Sequence, residues 1–92
     1  RTGEILAAEP IEGADKLVRL TVDIGVEQRQ IVAGLRQLHA VEELPGPAVV
    51  ILANLEPATL FGVESDGMLL AAGEDAALLT THTPVPPGTR IR

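Results

Sequence analysis

Glycine and proline interrupt this chain so often that almost none of it can form a long helix. The breaks fall at Pro10 to Gly13, Gly25, Gly34, Pro45 to Pro47, Pro57, Gly62, Asp66-Gly67, Gly73 and Pro84 to Gly88. Proline lacks the N–H a helical ladder needs and glycine loses the most backbone freedom in one, so both residues punctuate rather than extend. The residues between the breaks alternate. From Lys16 to Ile24, Val18, Leu20, Val22 and Ile24 fall on one side and Leu17, Arg19, Thr21 and Asp23 on the other, the period of a half-buried strand. After Gly25, Gln28 to Ala33 reads as its hairpin partner. Ala48 to Leu55 is apolar on both faces and belongs in the middle of a sheet. Gly3 to Glu9 and Gly67 to Ala72 read as further strands, while Ala76 to Thr81 and Thr89 to Arg92 can extend or close the sheet. Only Leu35 to Leu44, with Leu35, Leu38, Val41 and Leu44 at three-residue steps, has room for a helical turn or two.

Short strands at near-regular spacing, with one short helix between the third and fourth, describe a small all-β barrel. The predicted fold is a five-stranded oligonucleotide/oligosaccharide-binding (OB) barrel, the helix plugging its bottom, with one or more extra strands near the C-terminus. Ninety-two residues make one domain, 1–92. Because the chain begins at Arg1 without Met, it reads as a piece excised from a longer protein. It has no uninterrupted apolar run of about 18 residues, and a cytoplasmic location without membrane contact is expected.

Charge narrows the possible partners. Thirteen acidic residues against seven basic ones give a formal net charge of −6. The stretch from 37 to 89 holds no Lys or Arg, but carries Glu42, Glu43, Glu56, Glu64, Asp66, Glu74 and Asp75. Such a surface does not steer nucleic acid from a distance, although it leaves room for a local basic strip. That strip is Lys16, Arg19, Arg29 and Gln30, with Arg36 just beyond; parity alone places Arg19 and Arg29 on either the same or different sides.

The chemistry inventory argues against catalysis. The one serine, Ser65, lies in G-V-E-S-D-G, which is not a nucleophile elbow. His39 and His82 stand far apart and outside any metal-ligand spacing, cysteine is absent, and no glycine pattern cradles a phosphate. No catalytic residue, metal, cofactor or small-molecule substrate is expected. Base stacking usually needs several aromatic platforms, and Phe61 is the single aromatic residue. In its setting, L-F-G after a proline loop, a core or subunit-contact role is favoured over stacking.

The chain from Gly3 to Arg92 resembles the tRNA-binding domain appended to many bacterial methionyl-tRNA synthetases, also found in free-standing tRNA-binding proteins and in a multisynthetase-associated cytokine. The resemblance is carried by G-E-I-L-A-A-E-P (Gly3 to Pro10), A-D-K-L (Ala14 to Leu17), R-Q-I-V-A-G-L (Arg29 to Leu35) and E-E-L-P-G (Glu42 to Gly46). It continues in A-N-L-E-P (Ala53 to Pro57), G-V-E-S-D-G-M-L-L-A-A (Gly62 to Ala72) and the ending V-P-P-G-T-R-I-R. It implies an OB barrel that holds the outside of folded tRNA by shape and backbone contacts, with little sequence preference, and that forms a homodimer.

Position by position, the resemblance implies a tRNA site of Lys16, Arg29, Asn54, Ser65 and Met68. By residue type, Lys16 and Arg29 would meet phosphate, Asn54 and Ser65 phosphate or ribose hydroxyls, and Met68 would offer an apolar rest for a ribose or base. The chain departs from the family where Glu56 replaces a usual Lys, at Thr59 and Phe61, where basic residues are common, and at Ala33, where Ser is common. Two readings follow. One is a tRNA-binding appendage of a synthetase. The other is a dimerisation module that has shed most RNA binding, with Phe61 and Ala76 to Leu79 as contacts. Arg29→Ala is expected to weaken tRNA binding and flatten its salt dependence while leaving the melting temperature nearly unchanged.

Overall fold

The computed structural model describes residues 1–46 and 48–92. Its frame is an antiparallel five-stranded sheet, ordered β3-β2-β1-β4-β7, that curls into a nearly closed barrel. The strands are β1 (Thr2–Pro10), β2 (Val18–Asp23), β3 (Gln28–Ala33), β4 (Ala48–Leu52) and β7 (Met68–Leu69). Two small hairpins stand outside it: β5 (Ala58–Leu60) with β6 (Val63–Ser65), and β8 (Ala71–Ala72) with β9 (Ala77–Leu78). No helix among the described residues is long and apolar enough to cross a membrane.

The curl begins in β1. This strand pairs along its length with β2 and through Thr2 to Glu4 with β4, and its register with β2 shifts between Ile5 and Ala7. An extra residue on one side of a ladder bends the strand and increases its twist, which lets one strand serve both walls of a barrel. Gly3 sits at this crossing, where a Cβ would press on the Val22 side chain. The alternation read from the sequence points Val18, Leu20 and Val22 inward, and Ile5, Ile31, Val49 and Ile51 meet them. All seven are essentially fully buried and all are aliphatic, so the core needs no ring. Leu20 pairs with Ile31 and Val22 with Arg29 across the β2–β3 ladder.

The β3–β4 connection plugs the barrel as expected, but with less helix. It contains one turn closed on the Leu35 carbonyl by the N–H groups of Leu38 and His39, then a 3-10 helix at Val41–Glu43. Between them Ala40 is extended, with φ −68° and ψ 127°. Two isolated turns are too short to sustain an α-helix, and Gly34 and Pro45 bound the segment on both sides. Leu35 and Leu44 nonetheless reach the core, so packing rather than helical hydrogen bonding fixes the plug.

Three other strand expectations are corrected. Ala48 to Leu55 ends as a strand at Leu52, and Gly67 to Ala72 is divided between β7 and β8. Thr89 to Arg92 forms no strand; its start is instead tied to Thr2, which donates its N–H to the Thr89 carbonyl and accepts from Gly88 N–H, both at 2.8 Å. Gly88 has φ +84°, and a Cβ there would run into the Ile24 carbonyl, so this segment lies backbone against backbone on the β2–β3 turn. The β5–β6 hairpin is an element the sequence reading did not contain. Its two-residue turn, Phe61-Gly62, holds both residues at positive φ, 50° and 77°. Such turns match strand twist and usually carry Asn-Gly, so Phe-Gly gives no local signal.

Candidate nucleic-acid interface

The barrel closes where β3 meets the β6–β7 corner, and it closes through polar groups. Gln30 donates its side-chain amide to the Glu64 carbonyl at 2.7 Å, and Asp66 N–H donates to the Gln30 carbonyl at 2.7 Å. The Ser65 hydroxyl accepts from Val32 N–H at 2.9 Å and donates to the Gly67 carbonyl at 3.2 Å. Ser65 is 6% exposed. Its hydroxyl hydrogen is committed within the fold, so the side chain is placed as a clasp between β3 and the β6–β7 turn.

Arg29 extends this seam at the mouth of the barrel. Nη1 donates to the Ala53 carbonyl at 3.0 Å and to the Asp66 carboxylate at 3.2 Å, while Nη2 and Nε reach the Glu27 carboxylate at 3.0 and 3.2 Å. The side chain is only 19% exposed. Arg29 is therefore largely buried and paired within the fold. It ties β3 to the chain leaving β4, and two carboxylates share its charge.

Around it opens a cavity of about 510 Å³, lined by Arg1, Arg29, Leu52, Asn54, Arg90 and Ile91 together with Ile51 and Ala53. Arg1 donates to the Gly88 carbonyl at 3.2 Å, and neither Arg1 nor Arg90 has a carboxylate partner among the described residues. Three arginines and an asparagine thus line one cavity on an otherwise acidic chain. An anion entering here would meet donors from both ends of the sequence.

Of the sequence-predicted site, Arg29 and Asn54 share this cleft. Ser65 lies behind it in the seam. Met68 is exposed on β7 opposite Leu52, and lines a separate hollow with Ala33, Gly34 and Leu35. Lys16 stands apart, in the β1–β2 loop, where it lines a cavity with Leu60 and Phe61. Phe61 is 68% exposed, which removes the core role expected for it. Arg1 and Arg90 were missing from the sequence reading. Hydrogen bonds from Arg1 and Thr2 to the Pro86–Thr89 segment bring them together, and no local spacing encodes that contact.

A nearly closed five-stranded antiparallel barrel defines a domain of the OB type. More narrowly, the chain belongs to the family described as "Putative tRNA binding domain", whose model matches residues 1–90. It is 67% identical over 92 residues to the methionine–tRNA ligase of Haloarcula marismortui and 53% identical to that of Methanoculleus marisnigri, in each case over all of this chain. The chain spans only 13% and 14% of those relatives' lengths. Among solved structures, the MetRS-related protein from Pyrococcus horikoshii superposes with a TM-score of 0.87 at 39% identity, over 99% of this chain and 86% of that one. Chaperone CsaA of Bacillus anthracis gives a TM-score of 0.90 at 27% identity, over 100% of this chain and 88% of that one.

Proposed function

We propose that this chain is a single tRNA-binding module, appended to a methionine–tRNA ligase in the cytoplasm, which holds tRNA near a catalytic region elsewhere in that protein. A tethered module raises the effective concentration of its ligand even when its own affinity is modest. The observation that carries this reading is the cleft where Arg1, Arg29 and Arg90 converge beside Asn54. The backbone of folded tRNA supplies phosphates and ribose hydroxyls whatever its sequence, so the expected recognition is of shape, with little base preference.

Within the proposed site, Arg29 meets phosphate from a position fixed by Ala53 and Asp66, and Asn54 meets phosphate or a ribose hydroxyl at the rim. Met68 gives an apolar rest, Lys16 a phosphate contact at the far loop, and Ser65 sets the spacing between β3 and the β6–β7 turn. Arg1 and Arg90 join this set as the cations of the cleft left without carboxylate partners.

A second reading keeps the module as a homodimer contact that has lost most RNA binding. The pairing of Arg29 with Glu27 and Asp66 favours it, because each lost phosphate contact removes about 0.9 from the salt slope on duplex-like charge density. The discriminating experiment is the affinity of the chain for unmodified bulk tRNA from roughly 20 to 200 mM salt, with mass in solution measured on the same sample. Micromolar binding that weakens steeply with salt is the expected result. A folded dimer without binding at the lowest salt would reject the tRNA module in favour of the second reading.

A further inference from the structure

Phe61 occupies a place that neither the core nor the backbone explains. As the only aromatic side chain, it stands 68% exposed at the tip of the β5–β6 hairpin. Its φ of 50° belongs to a turn position where Asn or Gly is the comfortable choice. A bulky residue kept in the left-handed region without burial points to a role outside folding.

Its surroundings suggest which one. The ring lines a cavity of about 480 Å³ together with Leu60 and the β1–β2 loop from Gly13 to Leu17, and a second of about 340 Å³ with Arg19 and Val63. The loop forming the first wall is well supported. Ala14 N–H donates to the Ile11 carbonyl at 3.1 Å, Arg36 Nη1 donates to the Ala14 carbonyl at 3.1 Å, and Arg36 N–H donates to the Lys16 carbonyl at 3.2 Å. Lys16 and Arg36 have no carboxylate partner within ion-pair distance among the described residues, whereas Arg19 is paired with Glu9. Asp15 lines the first cavity beside Lys16, and Glu12 lines the second beside Arg19.

We propose that Phe61 is a stacking platform for one unpaired RNA base, seated against Leu60 and the Gly13–Leu17 loop, with Lys16 holding the adjoining phosphate. The inference rests on the tRNA-binding reading and deepens it, adding a contact to an unstacked base to a site that otherwise reads the backbone. Unpaired bases in RNA loops and ends are held on aromatic faces in just this way, and a lone ring suffices for one base. A second copy of the chain fits less well. A two-residue turn offering one ring and one leucine is far below the roughly 1,200 to 2,000 Å² that a stable interface buries.

The test uses the fact that one phenylalanine gives one set of phenyl proton resonances. These are followed by NMR while the chain is titrated with bulk tRNA and with an oligoadenylate of about eight nucleotides. Binding is measured in parallel for Phe61→Asn, which suits the turn and keeps the fold, and for Phe61→Trp. The expected result is upfield movement of the Phe61 resonances with both ligands, at least about a fivefold loss of affinity in Phe61→Asn, and retention in Phe61→Trp. Binding of tRNA with unmoved Phe61 resonances and an equal affinity in Phe61→Asn would overturn the stacking role and leave the tRNA module standing. Absence of any tRNA binding by the unaltered chain would remove both. A wild-type dimer that becomes a monomer in Phe61→Asn, with tRNA affinity unchanged, would overturn stacking in favour of a subunit contact.

Discussion

The two halves of this barrel are held by different physics. Every buried hydrophobic residue lies between Ile5 and Ile51. From Leu52 onward, the one buried residue among those described is Ser65. The first half is an aliphatic meander that removes apolar surface from water, while the second is a series of short, exposed strands fastened to it by hydrogen bonds. Stability and recognition are thereby separated along the chain. The second half can change at its surface with little cost to the core, and it supplies most of the exposed apolar side chains.

Four substitutions would break or sharpen this contrast. The largest effect is expected in the meander: Leu20→Ala, at a fully buried position, should cost about 2 to 5 kcal/mol in urea unfolding, while Leu79→Ala on the exposed side should cost under about 1 kcal/mol. Comparable losses at both sites would show that the second half has a hidden core. Ser65→Ala comes next. It leaves the Val32 N–H without its acceptor, so about 1 to 3 kcal/mol should be lost although no apolar surface is exposed. An unchanged denaturation midpoint would mean the seam is not fastened there. Glu56→Lys is the mildest for folding, since the residue is exposed, and stability should hold within about 0.5 kcal/mol. It should nonetheless tighten tRNA binding and steepen its salt slope by up to about 0.9, a change readable by titration at two salt concentrations.

The same contrast explains how much could be read from the sequence. Alternation revealed β2, because a half-buried strand writes its burial into its sequence, and β1 and β3 were placed by the glycine and proline breaks around them. Leu35 and Leu44 were legible as the plug, though their spacing overstated the helix. In the second half apolar residues stay exposed, so the pattern carries little information. The β5–β6 hairpin was hidden by a Phe-Gly turn, and Gly67 to Ala72 read as one strand where there are two. At the site, only the family resemblance named Arg29 and Asn54 together, and they line one cleft. The environment of Arg29 did not follow at all: its ties to Ala53, Asp66 and Glu27 depend on barrel closure, so Arg29→Ala is now expected to lower stability, a change readable in the denaturation midpoint.

The polar seam from Gln30 to Gly67 also has a consequence in time. Hydrogen bonds near a surface open at lower free energy than a packed core, so a barrel closed by a few of them can part along that line while the meander stays intact. Amide exchange at Val32 and Asp66 should then outpace exchange at Leu20 and Val22. Arg29 spans this seam at the rim of the arginine cleft, and a phosphate backbone laid across that rim would hold both lips together. Binding would register as slowed exchange along the seam, giving the barrel a breathing motion that its ligand stills.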